Sequence, residues 1–175
     1  ETLFDNHITN LYESILKNNF ISSEIKGTII KNDKILDYYI EDIKKDITMN
    51  STLKVCLDCG NGITGAIVRR VFESLNINCE IIYEEVDGSF PNHPPDPTDE
   101  KNLSELKKSI KKNKADIGFA YDGDGDRIVV VSKECKVLWP DQLLILYSKD
   151  ILSKNPGGKI VYDVKCSKHV EKEIT

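Results

Sequence analysis

A chain of 175 residues, 39% hydrophobic and 30% charged with a net charge of −5, has room for one or two domains and the composition of a soluble globular protein. No apolar run approaches the ~18 residues of a membrane span and no signal peptide opens the sequence, so no membrane role is expected. An acidic balance without a basic tail argues equally against nucleic acid as a partner.

Helical spacing of Ile8, Leu11, Tyr12, Ile15 and Leu16 predicts a helix within residues 2–17, and Ile35, Tyr39, Ile40, Ile43 and Ile47 predict another. Between them, residues 27–30 read as a short strand. Residues 53–58 read as a buried strand, 62–76 as a helix with Ile67, Val71 and Leu75 inward, and 79–85 as a second strand. A helix over 102–113 carries Leu103, Leu106 and Ile110. Its basic stretch, 107–114, reads as a solvated face. Strands follow over 115–121 and 128–132, then a turn at 133–136. A helix over 141–153 is stopped by Asn155-Pro156-Gly157-Gly158, and a strand is expected over 159–163.

This alternation predicts an α/β fold, a mixed, mostly parallel four-stranded sheet flanked by helices. The last two strands must be antiparallel, because residues 122–127 leave no room for a helical crossover. Lys54-Val55-Cys56-Leu57-Asp58 and Lys159-Ile160-Val161-Tyr162-Asp163 match as Lys, three strand residues, Asp, then a turn, which suggests a repeated module. Residues 50–137 then read as a complete domain, 1–49 as the remnant of one before it, and 138–175 as the beginning of a third. The chain reads as cut from something longer. Five cysteines, at 56, 59, 79, 135 and 166, are odd in number and lack the second C-x-x-C or nearby histidines of a zinc site. They read as reduced structural thiols in a cytoplasmic protein.

Two motifs compete for function. Gly60-Asn61-Gly62-Ile63-Thr64-Gly65 matches G-x-G-x-x-G between a strand and a helix, with Glu84 and Glu85 at the spacing of a dinucleotide site. The competing reading, a tight turn whose glycines permit close packing, is favoured by the lack of a second nucleotide-binding half.

The other motif places Asp122, Asp124 and Asp126 at alternate positions, separated by glycines and followed by Arg127. Carboxylates converging at about 4 Å in an effective dielectric near 20 repel by roughly 4 kcal/mol per pair. A cation must sit among them, or the loop must splay into water. The loop follows the third strand, at the edge where open α/β sheets place ligands. Oxygen-only donors on a short loop suit a hard cation such as Mg2+, and Arg127 offers a fork of donors for phosphate. An EF-hand fails, because its glycine and glutamate positions hold Arg127 and Lys133. A dehalogenase-type phosphatase loop fits poorly at Asp126. A metal-held nucleotide-sugar site and a solvated acidic turn stay open, with metal binding the favoured reading. Prolines 91, 94, 95 and 97 make a stiff excursion that is neither helix nor central strand, with His93 in a structural role and Phe90, Asn92 and His93 docking on the domain.

The stretches YDGDGDRIVVV, LKVCLDCGNGITG, EVDGSFPNHPPDPTDEKNL and GGKIVYDVKCSKH, in order and spacing, resemble the α-D-phosphohexomutases, most of all their bacterial phosphomannomutase/phosphoglucomutase branch. The resemblance implies a repeated-domain mutase architecture of four domains. It also implies interconversion of hexose 1- and 6-phosphates, of mannose or glucose or both, through a phosphoserine and a bisphosphorylated sugar. Asp122, Asp124 and Asp126 correspond to its Mg2+ ligands, with a phosphoserine oxygen as the fourth. Arg127 and Lys165 correspond to residues near the substrate. No catalytic nucleophile is expected here, because a Ser-His-Asn-Pro-like loop is absent. So are the sugar-recognising Gly-Glu-x-Ser loop and the phosphate loop of the fourth domain. The implied partners are a phosphorylated hexose and the remaining mutase domains, and the polypeptide alone should be inactive. The alternative is a nucleotide or dinucleotide module built on residues 60–65.

Overall fold

In the computed structural model, residues 2–47 and 52–174 are described, and the chain divides into two units between Asp33 and Lys34. In the first unit the expected helix forms as α1 (Asn6–Leu16). Its Ile8, Leu11, Tyr12, Ile15 and Leu16 are all exposed. Residues 27–30 are not a strand. Ile29 and Ile30 lie open to solvent, and an extended segment becomes a strand only when a neighbour takes up its amides and carbonyls.

The second unit opens with α2 (Ile35–Asp46). The expected boundary between residues 49 and 50 lies outside the described residues. Its sheet is built on β1 (Lys54–Asp58), with β2 (Asn78–Ile82), β3 (Ile117–Tyr121), β4 (Ile128–Ser132) and β5 (Val137–Leu138) in the order β2-β1-β3-β4-β5. β1 runs parallel to β2 and β3, whereas β3–β4 and β4–β5 are antiparallel. The sheet is therefore mixed, but with five strands rather than four and evenly divided rather than mostly parallel. The added strand arises at the predicted turn, where Ser132 donates to the Lys136 carbonyl at 2.9 Å and Cys135 takes a φ of 62°. That closes a hairpin onto a strand too short to show a period.

The alternation along β1 divides the core. Val55 and Leu57 pack with Cys59 and Val68, backed by Phe72, Ile81 and Phe119, under α3 (Val68–Ser74). Cys56 faces the other way, with Leu103, Leu106, Ile110, Ala120, Val129 and Val131, under α4 (Ser104–Asn113). Helices thus cover both faces, as a largely buried parallel core requires. The two cysteines of the C-x-x-C belong to different core clusters and stay unpaired. Burial pushes the Cys59 thiol up to about 12, the opposite of what redox chemistry needs.

Both predicted helices of this core begin as 3-10 turns, Ile63–Ala66 before α3 and Glu100–Leu103 before α4. β2 ends at Ile82 because Tyr83 takes a φ of 53°. Beyond β5, α5 (Pro140–Lys154) follows the predicted helix closely. An unpredicted helix, α6 (Lys168–Ile174), in which Val170 is buried, packs on it and is joined to it by a 2.7 Å Lys149–Glu173 pair. Residues 159–163 form no strand, and Val161 is exposed. Among the described residues no helix is long and apolar enough to cross a membrane.

Candidate metal centre

The aspartate loop is the connection between β3 and β4, and its first residue ties it shut. The Asp122 amide donates to the Arg127 carbonyl at 3.2 Å. The Arg127 amide donates back to Asp122 Oδ1 at 3.0 Å, and its Nε donates to Oδ2 at 2.7 Å. Asp122 is consequently buried, while Asp124 and Asp126 face solvent. Gly125, at a φ of 76°, lets the chain reverse, and its amide donates to the Asp122 carbonyl at 3.2 Å.

This folding brings one carboxylate oxygen of each aspartate to within 4.8 Å of the others. Neighbouring oxygens of an octahedral Mg2+ shell, each at ~2.1 Å from the ion, stand roughly 3 Å apart, so the three acids would have to draw together on an ion. The donor set fits a hard cation. Burial works to raise the Asp122 carboxyl, but the Arg127 amide and guanidinium outweigh it and hold the group below the usual carboxylate range. Asp126 moves the other way, pushed up by its hydrogen bond with Asp122 and by the charge of Asp124. Like charges crowd here with one guanidinium to offset them.

The Gly60–Gly65 turn turns out to be the floor of this loop. The Ile63 amide donates to the Gly123 carbonyl at 3.0 Å, Gly62 lies against the Gly123 and Asp122 carbonyls, Gly65 against the main chain of Glu84, and Thr64 against Gly125. The amides of residues 60, 61, 62, 63 and 65 all donate to groups of the protein. A nucleotide-binding turn needs such amides free for phosphate oxygens. The dinucleotide alternative therefore lacks support, and the glycines serve packing.

The proline-rich segment is the roof. Pro95 and Phe90 close over Gly123. Asn92 Nδ2 donates to Asn61 Oδ1 at 2.7 Å, and Asp96 Oδ1 stands 3.8 Å from Arg127 Nη1. His93 Nε2 lies 3.3 Å from the carboxylate of Asp58, which is buried at the end of β1. Asp58, Asn61 and Asp96 are neighbours of the site that the sequence reading left aside. Their signal was present as the last residue of a strand and as two polar residues inside glycine- and proline-rich runs. Lys165, expected near substrate, is not brought to the loop. It is exposed, with its Nζ 3.6 Å from Asp163 and its amide on the same carboxylate at 2.8 Å.

Comparison with known proteins identifies the family. Residues 37–135 match the family described as phosphoglucomutase/phosphomannomutase, alpha/beta/alpha domain II. The chain is 46% identical over 172 residues to a phosphomannomutase/phosphoglucomutase of Pseudomonas syringae pv. tomato, covering 97% of this chain and 36% of that protein. It is 36% identical over 168 residues to a phosphoglucomutase of Neisseria meningitidis, covering 96% and 36%. A crystal structure of a phosphoglucomutase/phosphomannomutase family protein from Burkholderia thailandensis superimposes with a TM-score of 0.86 at 37% identity, covering 98% of this chain and 37% of that one. The chain spans a little over a third of the length of these relatives.

Proposed function

The chain belongs to the phosphoglucomutase/phosphomannomutase family, and we propose from that premise that it supplies the metal-binding part of a phosphohexomutase. In this reading Asp122, Asp124 and Asp126 hold Mg2+. Arg127 and Lys165 contact the phosphorylated sugar, and the parent enzyme interconverts hexose 1- and 6-phosphates of mannose or glucose through a phosphoserine and a bisphosphorylated sugar. The observation that carries it is the convergence of the three carboxylates beside Arg127. Residues 1–49, 50–137 and 138–175 are read as the end of one mutase domain, a complete second and the start of a third. The protein is assigned to the cytoplasm, with the other mutase domains and a phosphorylated hexose as its partners.

Bound there, a divalent ion would neutralise the charge that accumulates on a phosphoryl group in transit and orient it. The chain's own contribution is placement. Three carboxylates, a divalent ion and one guanidinium sum to zero, so net charge does not draw a phosphate in. Arg127 must do so by direction, and Asp122 fixes its Nε while leaving the outer nitrogens of the fork toward solvent and Asp96. Lys165, on a turn with an exposed side chain, is free to reach a ligand.

A Mn2+ or Mg2+ titration tests this reading, with Asp124→Asn as the comparison. Asp124 is exposed, so the variant should fold normally and lose at least about tenfold in metal affinity, since even outer-shell losses cost that much. Equal affinity in the two proteins would refute the assignment.

A further inference from the structure

A second charged cluster lies between the proline-rich segment and the sheet. The side chain of His93 is 14% exposed and that of Asp58 only 1%. His93 Nε2 lies 3.3 Å from each Asp58 carboxylate oxygen, and His93 Nδ1 lies 2.8 Å from the carbonyl oxygen of Pro94. A carbonyl oxygen only accepts, and so does an ionised carboxylate. Neutral imidazole has a single N–H, so one ring nitrogen would turn a lone pair toward an oxygen lone pair where little water can intervene. Donation from both nitrogens satisfies both contacts. Asp58 is anchored separately, its Oδ1 accepting from the Gly60 amide at 3.0 Å.

We infer that His93 is held as an imidazolium against Asp58, and that this contact pins the proline-rich segment over the aspartate loop, making His93 a positioning residue for Gly123 and Arg127. The chain runs from His93 directly to Pro95, which packs on Gly123, and to Asp96, which faces Arg127. Prolines 94, 95 and 97 stiffen that path, so a displacement at His93 is passed on to the loop. Laterally the ring is fixed edge-on to Tyr83, with centroids 5.3 Å apart, and its Cε1 closes against Gly60.

The groups facing the ring are Asp58 from β1, Glu105 from α4 with its partner Lys108, and Tyr83 from the turn after β2. The hydrogen bond to Asp58 raises the His93 pKa above its ordinary 6.5 against the opposing effect of burial, and Glu105 adds to the rise. Tyr83 is itself pushed up by burial and stays neutral. Because the folded value is the higher one, the clamp is fully present below the ordinary histidine value and is lost as pH rises through the raised one.

The consequence for phosphate contact rests on the reading of the loop proposed above, but the clamp itself is measurable without metal or substrate. The test is a pH titration of the chain by nitrogen NMR of the histidine rings and backbone amides. The expected result is two protonated His93 ring nitrogens at neutral pH, a midpoint above the ordinary histidine value, and Gly123 and Arg127 amide signals that move with that midpoint. Asp58→Asn should lower the midpoint while still offering the Gly60 amide an oxygen. His93→Gln should abolish the pH dependence of the loop signals. An unprotonated Nε2 at neutral pH, or loop amides that stay flat through the His93 transition, overturns the inference, and the wild-type titration decides this even if a variant fails to fold. Absence of Mn2+ binding with the expected His93 behaviour would count against the metal reading alone.

Discussion

Gly62 and Gly125 shape the aspartate loop without adding a carboxylate to it. A Cβ added at Gly62 would stand 2.7 Å from the Gly123 carbonyl oxygen and 3.1 Å from those of Asp122 and Cys59. All three are main-chain atoms, which cannot rotate aside, so Gly62→Ala must lift the loop from its floor. Overpacking of this kind costs about 1–3 kcal/mol, read as a lowered denaturation midpoint at unchanged slope. Gly88 has open space around its Cα, and Gly88→Ala should be nearly neutral. Equal effects at the two sites would refute the packing role. At this scale the sequence was informative about chemistry and ambiguous about purpose. The glycine spacing satisfies a dinucleotide pattern as written, and only the destination of each amide separates a phosphate cradle from a support. The alternate aspartates stood out because three like charges crowd into five residues, and the structure gathers their carboxylates.

Elements were legible where the apolar period was long and their neighbours lay within the chain. β1 shows this best. Its residues 55–57 are buried on both faces, and Leu57, fully buried, sits opposite Ile81 and Phe119 in the two adjoining strands. Leu57→Ala should therefore destabilise by about 2–5 kcal/mol. Leu146→Ala on α5, where the side chain is exposed, should change stability by no more than about 0.5 kcal/mol. Chemical denaturation of both variants checks the contrast, and similar losses would contradict this account of the core. The failures share a cause. Residues 27–30 and 159–163 carry strand-like composition, but β propensity measures fit to a neighbouring surface, and no strand pairs with either segment among the described residues. β5 failed in the opposite direction, since its two residues are held by pairing with Val130 and Val131 rather than by any pattern of their own.

For the molecule as a whole, the question is whether the proposed metal loop and phosphate fork would suffice for turnover. Phosphoryl transfer needs an acceptor in line with the leaving oxygen, and electrostatic stabilisation acts on a group already being passed to it. In the proposed reading the chain supplies the stabilising half of that arrangement, from carboxylates gathered at one sheet edge, Arg127 fixed by Asp122, and a roof and floor of proline and glycine segments. Its sequence has no Ser-His-Asn-Pro-like segment, the kind of loop that the proposed mechanism needs to donate and recover the phosphoryl group. Incubating the polypeptide with glucose 1-phosphate, Mg2+ and a glucose bisphosphate primer should therefore give no glucose 6-phosphate above the enzyme-free rate, while the same preparation still binds Mn2+. Turnover lost on Asp124→Asn would show that these residues complete an active site, and the division of labour proposed here would be wrong. Metal binding without turnover is the result that division requires, because it separates holding the charge from moving the group.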